Sequence, residues 1–230
     1  MDAFSTQPAR KWYEIWIDVL IHPGFATFQN LLKEPNISSN RGFTWVAVTS
    51  FISFLIGILV SMVESSLNPN VTPFPIWYLL CGSVATPILA IVGLAIMAWI
   101  YDGIAKRFGG SGEYHQMVFC LAAIQSPFAL IGIVLGWVMI PFYPSILLNP
   151  FAPGTAALPS FSPAFCLLWF VSIGIGIYSM VLYINAIRAV ENLEPGKVVM
   201  TYFTPVVIVF VLSFMCVCLV ILLYSRIGGR

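Results

Sequence analysis

Few residues of this chain combine the side-chain types and spacing that metal or redox chemistry requires. Cys216 and Cys218 stand at i, i+2, a spacing at which two side chains diverge on a helix. His22 and His115 belong to no cluster with metal-ligand spacing. We therefore expect no metal, haem or other cofactor.

The sequence also lacks the arrangements that would support an enzyme. It contains no phosphate-loop, dinucleotide, nucleophile-elbow or zinc-protease motif, and its apolar stretches hold no nucleophile beside a base. The glycine-rich run 109–112 follows an apolar helix, whereas a phosphate-binding loop would follow a strand. The run predicts a tight turn, and the chain is expected not to be an enzyme.

The composition predicts that the helices which carry these residues lie in a membrane. Of 230 residues only ten are basic and nine acidic, while 60% are hydrophobic. A soluble domain carries about 25% charged residues, so this chain is predicted to be an integral membrane protein. The net charge of +1 excludes the electrostatic footprint of a nucleic-acid binder, and the high hydrophobicity excludes a disordered chain.

Charged residues mark the ends of the membrane spans. Uncharged stretches run over 42–63, 65–101, 114–187 and 198–225, and prolines divide the third stretch into two. The prediction is an all-α bundle of five transmembrane helices at about 43–63, 76–101, 117–140, 163–187 and 202–224. Residues 1–42 form an N-terminal segment, 43–225 the membrane domain, and 226–230 an outer tail.

The loops predict the orientation of this bundle. Basic residues concentrate on the side of the N-terminus, at positions Lys33, Arg41, Lys106, Arg107, Arg188 and Lys197, against Arg226 and Arg230 on the other side. By the positive-inside rule the N-terminus is cytoplasmic and the C-terminus lies outside.

The segment before the first span is predicted to be an amphipathic helix. Trp12, Ile15, Trp16, Val19 and Leu20 follow the spacing of one helical face, and His22-Pro23 ends the helix. A second short helix is expected before Glu34-Pro35. Two interpretations stand side by side: an interfacial helix at the headgroups, or a helix packed on the cytoplasmic end of the bundle.

The loop between spans two and three carries a family resemblance. Arg107, Gly109, Gly110, Gly112 and Gln116 fit the R-x-G-G-x-G-x-x-x-Q signature of the prokaryotic branch of the YIP family, the Ypt/Rab-interacting membrane proteins with a Yip1 domain. Ser126-Pro127, the segment 178–190 and the His22-Pro23 region also resemble that family. The order of these motifs agrees with five spans.

The resemblance implies a five-span helical bundle and a place in a prokaryotic cell (inner) membrane. In eukaryotic relatives it implies roles in membrane traffic, binding of Rab GTPases and pairing with other family members. This sequence lacks their long cytoplasmic region and its D-L-Y-G-P element, so the resemblance gives little support for a Rab-type GTPase as partner.

Two functions are weighed. The first is a non-enzymatic membrane scaffold or adaptor that contacts the lipid bilayer, membrane-protein partners or a second copy of itself. The second is a transporter or permeability protein for a neutral or lipid-like solute, suggested by Pro87, Pro127 and Pro205 inside spans.

Asp102 and Lys106, at i, i+4, are also spaced for a local ion pair. The candidate cytoplasmic interaction surface comprises Trp12, Trp16, Asp102, Lys106, Arg107, Gly109, Gly110 and Arg188.

Overall fold

The computed structural model describes residues 10–67, 75–139 and 163–227. Within these ranges the chain forms seven helices and no strand, which confirms the predicted all-α fold. The helices are α1 (Trp12–Ile21), α2 (Phe25–Leu31), α3 (Ser39–Leu67), α4 (Ile76–Arg107), α5 (Tyr114–Met139), α6 (Pro163–Glu191) and α7 (Pro195–Ile227). The predicted proline-rich loop between spans three and four lies outside the described residues.

Five of these helices are long and apolar enough to cross a bilayer, as predicted. The qualifying stretches are Ser39–Val63, Trp77–Arg107, Tyr114–Val138, Cys166–Glu191 and Pro195–Met215. At a rise of about 1.5 Å per residue, even the shortest of them exceeds the roughly 30 Å of a hydrocarbon core. Helices α4 and α6 continue beyond the charged residues that mark the predicted ends of their spans. Several charged side chains therefore lie on helices rather than in loops.

Helix α5 lies at the centre of the bundle. From Met117 to Ile124 every side chain is at most 1% exposed, because α3, α4 and α6 all pack against this half of the helix. Gly42 permits the close approach of α3, since a Cβ there would lie only 3.1 Å from the Cβ of Ala122. Outside this densely packed part of the bundle, large side chains such as Val134 of α5 and Phe210 of α7 are more than 60% exposed, as expected of surfaces that face lipid.

The densely packed half of the bundle is covered by the two N-terminal helices. Ile15 and Val19 of α1 and Phe28 and Leu31 of α2 are at most 1% exposed. We call this end, with α1, α2 and the turns at 108–113 and 192–194, the capped end. Of the two interpretations of the N-terminal segment, the structure confirms a helix packed on the bundle, and the predicted second helix is also present.

Candidate functional site

The turn at the capped end between α4 and α5 lies directly on the last residue of α6. Gly112 N–H donates a hydrogen bond of 2.9 Å to Glu191 Oε2, and Ser111 N–H donates one of 3.2 Å to the Glu191 carbonyl oxygen. The turn also closes on α4, where Gly110 N–H donates to the Ala105 carbonyl at 2.9 Å. Glu191 therefore joins α6 to a turn that is itself hydrogen-bonded to the end of α4.

The glycines of this turn are required for two different reasons. Gly109 adopts a φ of +93°, a backbone conformation that side-chain-bearing residues rarely occupy. At Gly112 the constraint is space, because a Cβ would lie 2.6 Å from the Val190 carbonyl oxygen and 2.9 Å from Glu191 Cδ. Gly110 is equally restricted, with Glu191 Oε2 only 2.5 Å from the position of its Cβ. The predicted tight turn is confirmed, and it is also a close contact.

Two carboxyl groups are buried beneath this turn. Glu191 has no exposed surface, and Asp102 is only 7% exposed. Lys106 Nζ lies 2.7 Å from Asp102 Oδ2, which confirms the predicted i, i+4 ion pair. Asp102 is buried although it lies near the end of a predicted span.

A chain of aromatic rings connects α1 to the bundle. The rings of Trp12 and Trp16 meet edge to face at 4.6 Å, Trp16 meets Trp45 of α3 at 6.1 Å, and Trp45 meets Phe119 of α5 at 5.1 Å. The Arg41 guanidinium lies over Trp45, with its Cζ 5.0 Å from the ring centroid. These contacts fix the height of α1 against the spans.

Hydrogen bonds from the spans hold the connection between α1 and α2. Tyr178 O–H of α6 donates to the Leu20 carbonyl, and Asn185 Nδ2 donates to the Pro23 carbonyl at 2.7 Å. Both acceptors lie at the interruption between α1 and α2. Two polar side chains of α6 therefore compensate for the backbone hydrogen bonds that the interruption removes.

The start of α1 is held by an ionic cluster. Arg10 Nη2 lies 2.8 Å from Asp18 Oδ2, and His22 Nδ1 lies 3.0 Å from Asp18 Oδ1. Partial burial raises the pKa of Asp18, but the hydrogen bonds and charges of Arg10 and His22 outweigh burial and hold that pKa below its ordinary value. Asp18 is therefore a carboxylate at neutral pH.

An apolar groove lies between α1, α3 and α5 at the level of the tryptophans. Its volume is about 340 Å³, and its walls include Trp12, Trp16, Trp45, Ile52 and Leu130. The indole Nε1 of Trp16 is buried and has no hydrogen-bond partner among the described residues. The groove suits an apolar chain. None of the three prolines inside spans lines it.

The structure divides the predicted interaction surface into separate groups. Asp102, Lys106, Gly109 and Gly110 lie together around the glycine turn, next to the exposed Arg107. Trp12 and Trp16 lie on α1, Trp12 51% exposed and Trp16 9%. Arg188 is directed to α2, its Cζ 4.6 Å from the centroid of the Phe25 ring. Trp16 and Asp102 are buried and offer no surface to a partner.

Glu191 and the part that Arg41 plays in docking α1 were not predicted from the sequence. Glu191 lies 79 residues from its Gly112 partner, so no local pattern connects them. The sequence feature that could have indicated this contact is the Gly109–Gly112 run itself, because several glycines in one short turn suggest that another part of the chain approaches the turn closely. No cluster that could hold a metal ion occurs within 10–67, 75–139 and 163–227.

Comparison with known proteins gives one match. A family model described as the Yip1 domain matches residues 17–217, which include all five long helices in whole or in part. No curated protein and no solved structure matches the chain.

Proposed function

The chain belongs to the Yip1 domain family and is an integral, multi-pass membrane protein, and from that premise we propose that it is a non-enzymatic scaffold or adaptor. The observation that carries this proposal is the capped end. Two helices outside the spans are fixed there by buried side chains and by hydrogen bonds from α6. A rigid surface of this kind is suited to holding partners.

The outer face of α1 supports a position at the membrane surface. Tyr13, Ile17 and Ile21 follow one another at i, i+4, i+8 and are 39%, 53% and 63% exposed. The inner face of the same helix is buried in the bundle, so α1 is apolar on both sides. An exposed apolar stripe on a helix beside five spans fits insertion among lipid headgroups, with tryptophan at the boundary.

We further propose that the capped end faces the cytoplasm of a prokaryotic cell, and that partners are membrane proteins or a second copy of the chain. The basic residues of the turns and the resemblance of the 107–116 stretch support this placement. Arg107 and Gly109 are exposed beside the glycine turn and remain available for contact. No feature of the groove or of the glycine turn supports a Rab-type GTPase as a partner.

Proximity labelling tests the scaffold proposal. A labelling enzyme is fused before α1 of the full chain, and labelling is compared between the native sequence, Arg107→Ala at the exposed turn, and the lipid-facing control Val134→Ala. We expect a reproducible set of membrane proteins that is reduced in Arg107→Ala and retained in Val134→Ala. A set that is absent, or equal in both variants, contradicts the proposal.

A second candidate function is supported by the groove between α1, α3 and α5. Its apolar walls fit a lipid-like solute, and a protein that binds such a solute can move it across the membrane. The three span prolines do not line this groove, so the groove supports the candidate independently of them.

Flux into vesicles tests this second candidate. Proteoliposomes are compared with empty vesicles for movement of a fluorescent phospholipid, using Ile52→Trp to fill the groove and Leu55→Trp as a control elsewhere on α3. Transport predicts flux that Ile52→Trp removes and Leu55→Trp retains. Flux no greater than in empty vesicles eliminates this candidate.

A further inference from the structure

The buried carboxyl groups of Asp102 and Glu191 present a problem of charge. Two carboxylates and the single ammonium of Lys106 would leave one uncompensated negative charge, and both carboxyl groups are buried although the Lys106 side chain is 51% exposed. An unpaired buried charge is strongly destabilising, and proteins remove it by binding a proton or a counter-ion.

The hydrogen bonds at this site leave one oxygen of each carboxyl group without a donor. Lys106 occupies Asp102 Oδ2 and Gly112 N–H occupies Glu191 Oε2. The remaining oxygens, Asp102 Oδ1 and Glu191 Oε1, are buried and receive no N–H or O–H from the described residues. The two side chains are nevertheless neighbours, because the position of a Cβ on Gly110 lies 2.5 Å from Glu191 Oε2 and 3.0 Å from the Ala105 carbonyl oxygen, one helical turn from Asp102. Two carboxyl groups can hydrogen-bond only if one of them carries a proton.

We propose that Asp102 and Glu191 form a proton-binding site in which one proton, taken from water, is shared between Asp102 Oδ1 and Glu191 Oε1. The bound proton makes the cluster with Lys106 electrically neutral and provides the missing donor. Because Glu191 also holds the glycine turn, the proton stabilises the junction of α4, α6 and that turn. This inference does not depend on the scaffold or transport proposals.

Few other ionisable groups act on the pair from the elements packed around it. Tyr114 of α5 lies near Asp102 and donates its own hydroxyl to the Ala95 carbonyl at 3.2 Å. Glu113 in the turn is exposed, and its Oε2 lies 3.1 Å from His115 Nδ1. On α6, Arg188 is directed toward Phe25, and on α7 Lys197 lies 3.9 Å from the exposed Glu194. Lys106 is thus the one cation in contact with the pair among the described residues.

Infrared spectroscopy tests the proposal directly. The full chain is purified in a detergent without ester groups, and the C=O stretching band of a protonated carboxylic acid is measured at neutral pH. We expect this band in the native chain, and we expect its loss in Glu191→Gln and in Asp102→Asn. Glu113→Gln, which alters an exposed carboxylate in the same turn, retains the band. Its absence from the native chain overturns the proposal, as does its persistence in both pair variants.

The pH dependence of stability gives an independent test. Loss of the shared proton on unfolding makes the unfolding equilibrium constant rise about tenfold per pH unit above the titration range of ordinary carboxyl groups. An amide at 191 can donate to Asp102 and accept from Gly112 without any proton, so Glu191→Gln removes this slope and keeps the fold. Equal slopes in the native chain and Glu191→Gln refute the shared proton. If the infrared test fails while partner labelling is unchanged, the shared proton is refuted and the scaffold proposal still stands.

Discussion

Replacement of Gly112 by alanine tests how closely the glycine turn contacts α6. The new Cβ would lie 2.6 Å from the Val190 carbonyl oxygen and 2.7 Å from Val190 Cγ1, both well inside van der Waals contact. The carbonyl belongs to helix α6 and cannot move independently, so the turn must shift. That shift stretches the two hydrogen bonds that Gly112 and Ser111 donate to Glu191.

The expected cost combines overpacking with weakened hydrogen bonds. Overpacking at a rigid contact costs about 1–3 kcal/mol, and each hydrogen bond contributes about 1 kcal/mol. Gly112→Ala should therefore lower the free energy of unfolding by about 3 kcal/mol, roughly two orders of magnitude in the unfolding equilibrium. The assay is equilibrium unfolding in mixed detergent micelles, followed by circular dichroism.

Two other glycines at the same end provide matched controls. Gly103 lies in helix α4 with no neighbour within 4 Å of the position of a Cβ, so Gly103→Ala should be neutral or stabilising by about 0.5–1 kcal/mol. Gly109 also has open space but a φ of +93°, so Gly109→Ala should cost only the conformational penalty of about 1–2 kcal/mol. If Gly112→Ala is as stable as Gly103→Ala, the turn does not lie on Glu191 as described.

Three further predictions concern the docking of α1 and α2. Asn185→Ala removes the donor to the carbonyl that precedes α2 and should cost about 1–3 kcal/mol, measured as faster amide exchange in α2; unchanged exchange contradicts it. Trp16→Ala should lower the free energy of unfolding by about 3–5 kcal/mol and Trp12→Ala by much less, because Trp16 is 9% exposed and Trp12 51%; equal losses contradict that ranking. The tie through Asp18 is fully present above pH 3.8, its ordinary pKa, and is lost as the pH falls through the lowered value. Amide exchange in α1 should therefore increase in strong acid, and Asp18→Asn, which exchanges faster already at neutral pH, should show no such increase.

The five spans could be predicted from the sequence because a bilayer imposes a simple rule on length and charge. Uncharged stretches such as those bounded by Arg41, Glu64 and Asp102, together with the prolines that divide the longest stretch, place the helices, and the interruption before Pro23 follows from local sterics. The i, i+4 pair of Asp102 and Lys106 is likewise a local property of a helix. Each of these predictions depends only on residues close together in the chain.

The site could be predicted only in part because its contacts join distant segments. Glu191 and Gly112 meet across 79 positions, and the burial of both carboxyl groups results from how α4 and α6 pack rather than from their own sequence. The amphipathic pattern assigned Trp12 and Trp16 to one face, but α3 and α5 cover only the second of them. Helical spacing gives a face and not the depth of burial.

The measurement that tests the central claim most directly is site-specific photo-crosslinking in cells. A photoreactive residue is placed at position 107, beside the glycine turn, or at position 134, on the lipid-facing surface. If the capped end is the surface that holds partners, position 107 gives discrete crosslinks to membrane proteins or to a second copy, and position 134 does not give them. Identical patterns at both positions, or crosslinks to lipid alone at position 107, would contradict the claim.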